Sequence, residues 1–165
     1  MATKPVATSH VIKTALNRYD PAIVGVVTAA RRTMRRRFPG AVELVYDNYN
    51  ALVFGFGPSE RASEAQFSIA AYPRWVNLFF LQGARLPDPR HLLQGAGKQV
   101  RSIRLESALI LDEPPVQALL DAAVARMPVP FPMGRGRTVL RAVAKVQRPR
   151  RAAPGTGRRT RQGRA

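Results

Sequence analysis

The sequence predicts an α+β domain: a largely antiparallel sheet of about five strands packed against helices, followed by a disordered basic C-terminal tail. Three observations carry this. Apolar residues recur at helical spacing up to Phe38, change to short strand-like runs after Gly40, and return to helical spacing after Asp112. No segment between Gly40 and the fifth strand-like run is long enough for a crossover helix, so neighbouring strands should run antiparallel. From Pro128 the chain turns basic: residues 128–165 carry eleven of the 27 Lys and Arg and none of the ten Asp and Glu. The expected division is a folded domain over 10–127 and a tail over 128–165.

The elements follow in order. Thr8 or Ser9 caps a first helix over about 9–18, with Val11, Ile12, Ala15 and Leu16 inward. Asp20-Pro21 starts the second, a capping carboxylate followed by proline at the first helical position. Ile23, Val27, Ala30 and Met34 form its apolar stripe, and Pro39-Gly40 ends it. Its last turns hold Arg31, Arg32, Arg35, Arg36 and Arg37, where the helix dipole favours cations. Four strands are expected in AVELVY, YNALVFGF, QFSIAAY and RWVNLFFLQ, with turns at Asp47-Asn48, Gly57-Pro58-Ser59 and Tyr72-Pro73-Arg74. LPDPRHLLQGAG is a connection with one helical turn over His91–Gln94, and QVRSIRL is the fifth strand. Asp112 and Pro114-Pro115 open the last helix, with Val116, Leu119, Leu120, Ala123 and Met127 inward.

Beyond it, PVPFPMGRGR reads as a Pro/Gly linker. TVLRAVAKVQ reads as one exposed helical stretch, with Val139, Leu140, Val143 and Val146 on a common side. The last segment, RPRRAAPGTGRRTRQGRA, has no apolar residue larger than alanine and nothing to bury against the entropy of ordering.

Composition excludes several classes. The absence of cysteine removes disulfides, thiolate metal sites and thiol catalysis, and fits a cytoplasmic protein. No apolar run is long enough for a membrane span, and the start lacks an apolar signal segment, so no membrane insertion is expected. GAGKQVRS is not a phosphate loop, because Leu92 stands where the first glycine is required and Gln99 follows Lys98 in place of Ser or Thr. Ser63, Ser68 and Ser102 lie in no nucleophile motif, and His10 and His91 have no motif partner. Asp47 beside Tyr46 is the one candidate base. No cofactor and no catalytic residue set is expected.

YDNYNALVFGF, AAYPRWVNLFFLQG and LPDPRHLLQGAGKQVRSIRLES together resemble the YdhG-like family of bacterial domains of unknown function. The resemblance covers about residues 10–127 and implies a small α+β domain with an antiparallel sheet. Distant members are described as frataxin-like iron chaperones, which makes iron binding an alternative function. Hard iron ions want carboxylate oxygens, however, and residues 1–127 hold ten carboxylates against sixteen cations. Glu60 and Glu64, with Arg61 between them, are the best carboxylate pair, and read more simply as solvated residues of a first helical turn.

The expected function is a small non-enzymatic binding domain; an enzyme of unknown class is the further alternative. Polar residues cluster in otherwise apolar sequence at Tyr46, Asp47, Asn48 and Tyr49, at Asn77, and at Lys98 and Arg101. They are the candidate site for a small anionic or polar ligand, with Gly95 and Gly97 allowing close backbone approach. The competing structural reading makes Asp47-Asn48 a turn, Tyr46 and Tyr49 core aromatics, and Arg101 a partner of Glu43 or Glu106. In the tail, Arg135, Arg137, Arg141, Lys145, Arg148, Arg150, Arg151, Arg158 and Arg159 are expected to give weak, non-specific nucleic-acid or polyanion contact. The Arg31–Arg37 cluster would extend that surface if its face is exposed.

Overall fold

Pro21 follows Asp20 and sets the backbone for the second helix. A computed structural model of the chain describes residues 5–151. Helix α1 spans Pro5–Leu16 and α2 spans Pro21–Arg37. Asp20 stands at the N-cap with extended backbone, but its carboxylate makes no capping hydrogen bond; it faces Arg151 at 3.9 Å instead. Strands β1 (Val42–Asp47), β2 (Leu52–Gly57), β3 (Phe67–Ala71), β4 (Val76–Phe80) and β5 (Arg101–Arg104) follow, then α3 (Pro114–Ala125) and β6 (Thr138–Val143). The fold is α+β, as the periodicities predict.

The sheet order is β5-β4-β3-β2-β1-β6. β1 to β5 form an antiparallel meander. The loop from β1 to β2 closes on Asn48 N–H to Ala51 C=O at 2.9 Å, and the turn from β3 to β4 on Tyr72 N–H to Trp75 C=O at 2.9 Å. The expected helical turn at His91–Gln94 is absent. Asp88 accepts from the backbone N–H of Leu92 and Leu93 at 2.9 and 2.8 Å, His91 takes φ 53°, and Gln94 bridges to Ser102. An aspartate that bonds backbone ahead of it offers the chain an alternative to helix.

The largest correction lies after Met127. The segment expected as an exposed helix is β6, a sixth strand that pairs with β1 in parallel. Six strands replace about five, and the sheet is mixed. Two glycines make the docking possible. A side chain on Gly40 would collide with the Pro132 carbonyl, and one on Gly136 with the Ala41 carbonyl. The two backbones meet there, and Gly136 N–H donates to Pro39 C=O at 2.6 Å. Residues 128–151 therefore belong to the folded domain. The part of the tail from 152 on lies outside the described residues.

All three helices pack on one face of the sheet. The single core cluster joins Ile12, Leu16, Val27, Met34, Val116 and Leu120 to Val45, Phe54, Phe56, Ile69, Leu78 and Ile103. On each strand the alternate residues point the other way. Register aligns Tyr46, Val53, Ala70, Asn77 and Arg104 in one row across that second face. None of these five belongs to the core cluster.

Candidate polyanion-binding cleft

On α2, Val27, Ala30 and Met34 are fully buried. The arginines one and two residues after Ala30 and Met34 thus rise on the flank of the helix. Residues four apart stack on one face, so Arg31 with Arg35, and Arg32 with Arg36, form two adjacent columns. The segment Gly134–Thr138 runs opposite them. Gly136 holds it to Pro39, and Glu43 N–H donates to Arg137 C=O at 2.9 Å. Between the two lies an open cleft of about 660 Å³, walled by Arg31, Arg32, Arg35 and Arg36 on one side and by Arg135 and Arg137 on the other.

These six guanidiniums are not equivalent. Arg31 is the floor. It donates to both oxygens of Glu43, from Nε at 3.0 Å and from Nη2 at 2.7 Å, and its guanidinium lies 4.1 Å above the Phe54 ring. Glu43 is almost fully buried and also accepts from Thr138 Oγ1 at 3.0 Å. Arg137 bonds Glu60 at 3.0 and 2.7 Å. Arg32, Arg35, Arg36 and Arg135 are exposed, and among the described residues none has an acidic partner. Neighbouring depressions extend the surface along α2: one adds Lys13 beside Arg31 and Arg35, another Arg151 beside Arg32. Such an arrangement can clamp phosphate or carboxylate oxygens by bidentate contacts.

The candidate ligand site read from the sequence is not brought together. β5 and β1 are separated by β4, β3 and β2, which puts Arg101 about 19 Å from β1 at the usual strand spacing. Arg101 donates to the carbonyls of Gly97 and Val100 at 2.6 and 2.8 Å, and pairs with neither Glu43 nor Glu106. Lys98 is exposed in the preceding loop. Tyr46 and Asn77 share the second face of the sheet, three strands apart. The Tyr46 hydroxyl and Asn77 Oδ1 are buried there without a hydrogen-bond partner among the described residues. Tyr49 is half exposed and outside the core.

Asp47 faces the helices and is buried. It accepts from Arg18 at 3.1 Å and from Arg150 at 2.9 Å. Arg150, expected as a polyanion contact, has a side chain only 1% exposed. It also donates to the carbonyls of Asn48 and Tyr49, and it lies 5.6 Å from the Tyr19 ring centroid. Arg148 bonds Asn50 at 3.4 Å. These two arginines hold the loop from β1 to β2 in place of a ligand. Arg141 lies 4.0 Å from Glu60, Lys145 is exposed, and Arg158 and Arg159 lie outside the described residues.

Glu60 and Glu64 are both engaged, Glu60 by Arg137 and Glu64 by the Ser59 hydroxyl. Among the described residues no three His, Asp or Glu side chains converge as a metal-ligand set. None of their helices is long and apolar enough to cross a membrane. No family model matches the chain, and no curated protein or solved structure matches it either.

Proposed function

We propose that this is a non-enzymatic, cytoplasmic binding domain whose ligand is a phosphate-rich polyanion, of the nucleic-acid kind, held in the cleft between α2 and residues 134–138. One observation carries the reading: Arg32, Arg35, Arg36 and Arg135 converge on a single cleft without an acid to neutralise them. Four guanidiniums held close together repel one another, and a polyanion relieves that repulsion while releasing its own counterions. The adjoining depressions with Lys13 and Arg151 favour an extended anion over a single small one. The one hydroxyl–carboxylate contact in the cleft, Thr138 with Glu43, is tied up by the buried pair of Glu43 with Arg31, which favours binding over catalysis. The resemblance to YdhG-like domains is kept as a proposal of kinship; its iron-chaperone branch draws no support from Glu60 and Glu64, which both have other partners.

The test is duplex DNA binding by fluorescence anisotropy across a salt series. Four phosphate contacts give a slope of about −3.6 in log K against log salt. Replacing Arg32, Arg35, Arg36 and Arg135 together by Gln should flatten the slope by about that amount and weaken binding at least tenfold at low salt. Unchanged affinity and slope in that variant would remove the cleft as the site.

A further inference from the structure

The sheet face turned away from the helices carries rings where a solvated face would carry polar residues. Tyr46, Tyr72, Trp75 and Phe79 lie on it by strand alternation, and all four are partly exposed. Tyr72 and Trp75 are already stacked, with centroids 5.2 Å apart and planes 28° apart. The Arg104 guanidinium lies 5.1 Å above Trp75. Asn77 sits between Trp75 and Phe79 on the same face, with its buried Oδ1 lacking a hydrogen-bond partner among the described residues. Its terminal torsion is soft, so a small rotation can present the amide to a ligand. Rings, a cation over one ring, and an unused amide make a surface that accepts flat, polar-edged groups.

We propose that this face is a stacking platform for the bases of a single-stranded nucleic acid whose phosphates run through the arginine cleft. The inference rests on the polyanion reading above and names the form of nucleic acid. Duplex DNA keeps its bases stacked on each other and offers this face nothing, whereas a single strand presents ring faces to aromatic side chains. The route between the two surfaces passes the edge strand β6, beside which Arg137 and Arg141 share Glu60 and remain partly exposed. Charge selects this occupant over a second copy of the chain. The net charge is +17, so two copies repel, while a polyanion is attracted.

The chain has one tryptophan, Trp75, so the platform reports on itself. The experiment uses the full chain with a single strand of about 20 nucleotides, longer than the roughly 4–16 that one small domain covers, and with the same sequence as a duplex. The single strand should quench Trp75 emission and bind more tightly than the duplex. The duplex should bind through the cleft and leave the emission unchanged. Trp75→Ala should weaken single-strand binding about tenfold and leave duplex binding as it was. Arg104→Gln, at an exposed position, gives the same selective loss in smaller measure and serves if the tryptophan variant does not fold. Equal affinity for both forms with unchanged emission would overturn the platform and leave the cleft standing. Emission that shifts with protein concentration alone would overturn it in favour of a second copy. Failure of both forms to bind at low salt would remove the polyanion reading and this inference together.

Discussion

At the β5 edge of the sheet, Arg101 turns back on its own loop and donates to Gly97 and Val100. At the β6 edge, Arg31 and Arg150 reach buried carboxylates on β1, and Thr138 completes the shell of Glu43. Both edges read as basic in the sequence. At one, the arginine satisfies local carbonyls and its loss touches little else. At the other, Arg31 ties α2 to a carboxylate 12 residues on, Arg150 reaches back 103 residues to β1, and the arginines left over line a cleft. An arginine's role follows from which acceptors its neighbours have already taken, and local charge density does not reveal that.

The contrast is broken most severely by ending the chain at Met127. That removes β6 and Arg150, strips partners from Glu43 and Asp47, and uncovers Val45. Unpairing one buried charge already costs about 3–5 kcal/mol, against a total stability of about 5–15 kcal/mol for a domain. The shortened chain is expected to lose cooperative melting by circular dichroism; a melting curve equal to that of the full chain would show the β6 edge to be dispensable.

Arg150→Ala is the next largest. Asp47 keeps Arg18, whose side chain is 43% exposed, so the expected loss is about 3 kcal/mol, at the low end for an unpaired buried charge. Urea unfolding measures it. Adding Asp47→Asn should recover part of the loss, since the orphaned charge is then gone.

Alkaline unfolding sharpens the same region. Burial pushes the Tyr19 hydroxyl above its ordinary value of 10.0, and the opposing pull of Arg150 is smaller. The unfolded state therefore loses its proton first. This contribution to stability is whole below pH 10.0 and shrinks above it, until the folded-state hydroxyl also ionises. Tyr19→Phe should flatten this limb of the pH profile. It also removes the bonds to Ala71 C=O and from Leu52 N–H, at about 1 kcal/mol each. An unchanged alkaline limb in that variant would place its origin elsewhere.

Arg101→Ala marks the small end. Its partners are carbonyls of an exposed loop, and the expected change is within about 0.5 kcal/mol, as for surface positions generally. A loss comparable to that of Arg150→Ala would erase the distinction between the edges.

These differences explain what the sequence disclosed. Asp20-Pro21 and Pro114-Pro115 mark helix starts by local stereochemistry, and the meander from β1 to β5 is built of neighbours in sequence with turn residues between them. β6 has neither advantage. Val45 pairs with Leu140 but Tyr46 with Ala142, so Arg141 is an extra residue that breaks the alternation a strand would show. Val139, Leu140 and Val143 then fit a helical stripe equally well. The members of the candidate site lie apart for a related reason. Tyr46, Asn77 and Arg101 each stand out locally, but strand order alone decides whether they meet, and β5 lies at the edge opposite β1. The Arg31–Arg37 cluster was visible in the sequence; the wall facing it, Arg135 and Arg137, depended on the placement of β6.

The parallel pairing of β1 with β6 also has a meaning in time. A ribosome delivers β1 and β2 early and β6 more than 80 residues later, several seconds at about 5–20 residues per second. During that interval β1 is a bare sheet edge, a template for pairing with any passing strand. Glu43 and Asp47 point inward from that edge; an incoming strand without a hydroxyl in the place of Thr138 and an arginine in the place of Arg150 would leave Glu43 with Arg31 alone and Asp47 with only the part-exposed Arg18. The two carboxylates thus act as a lock on the nascent chain, and the arriving C-terminal segment, with Thr138 and Arg150, is the matching key.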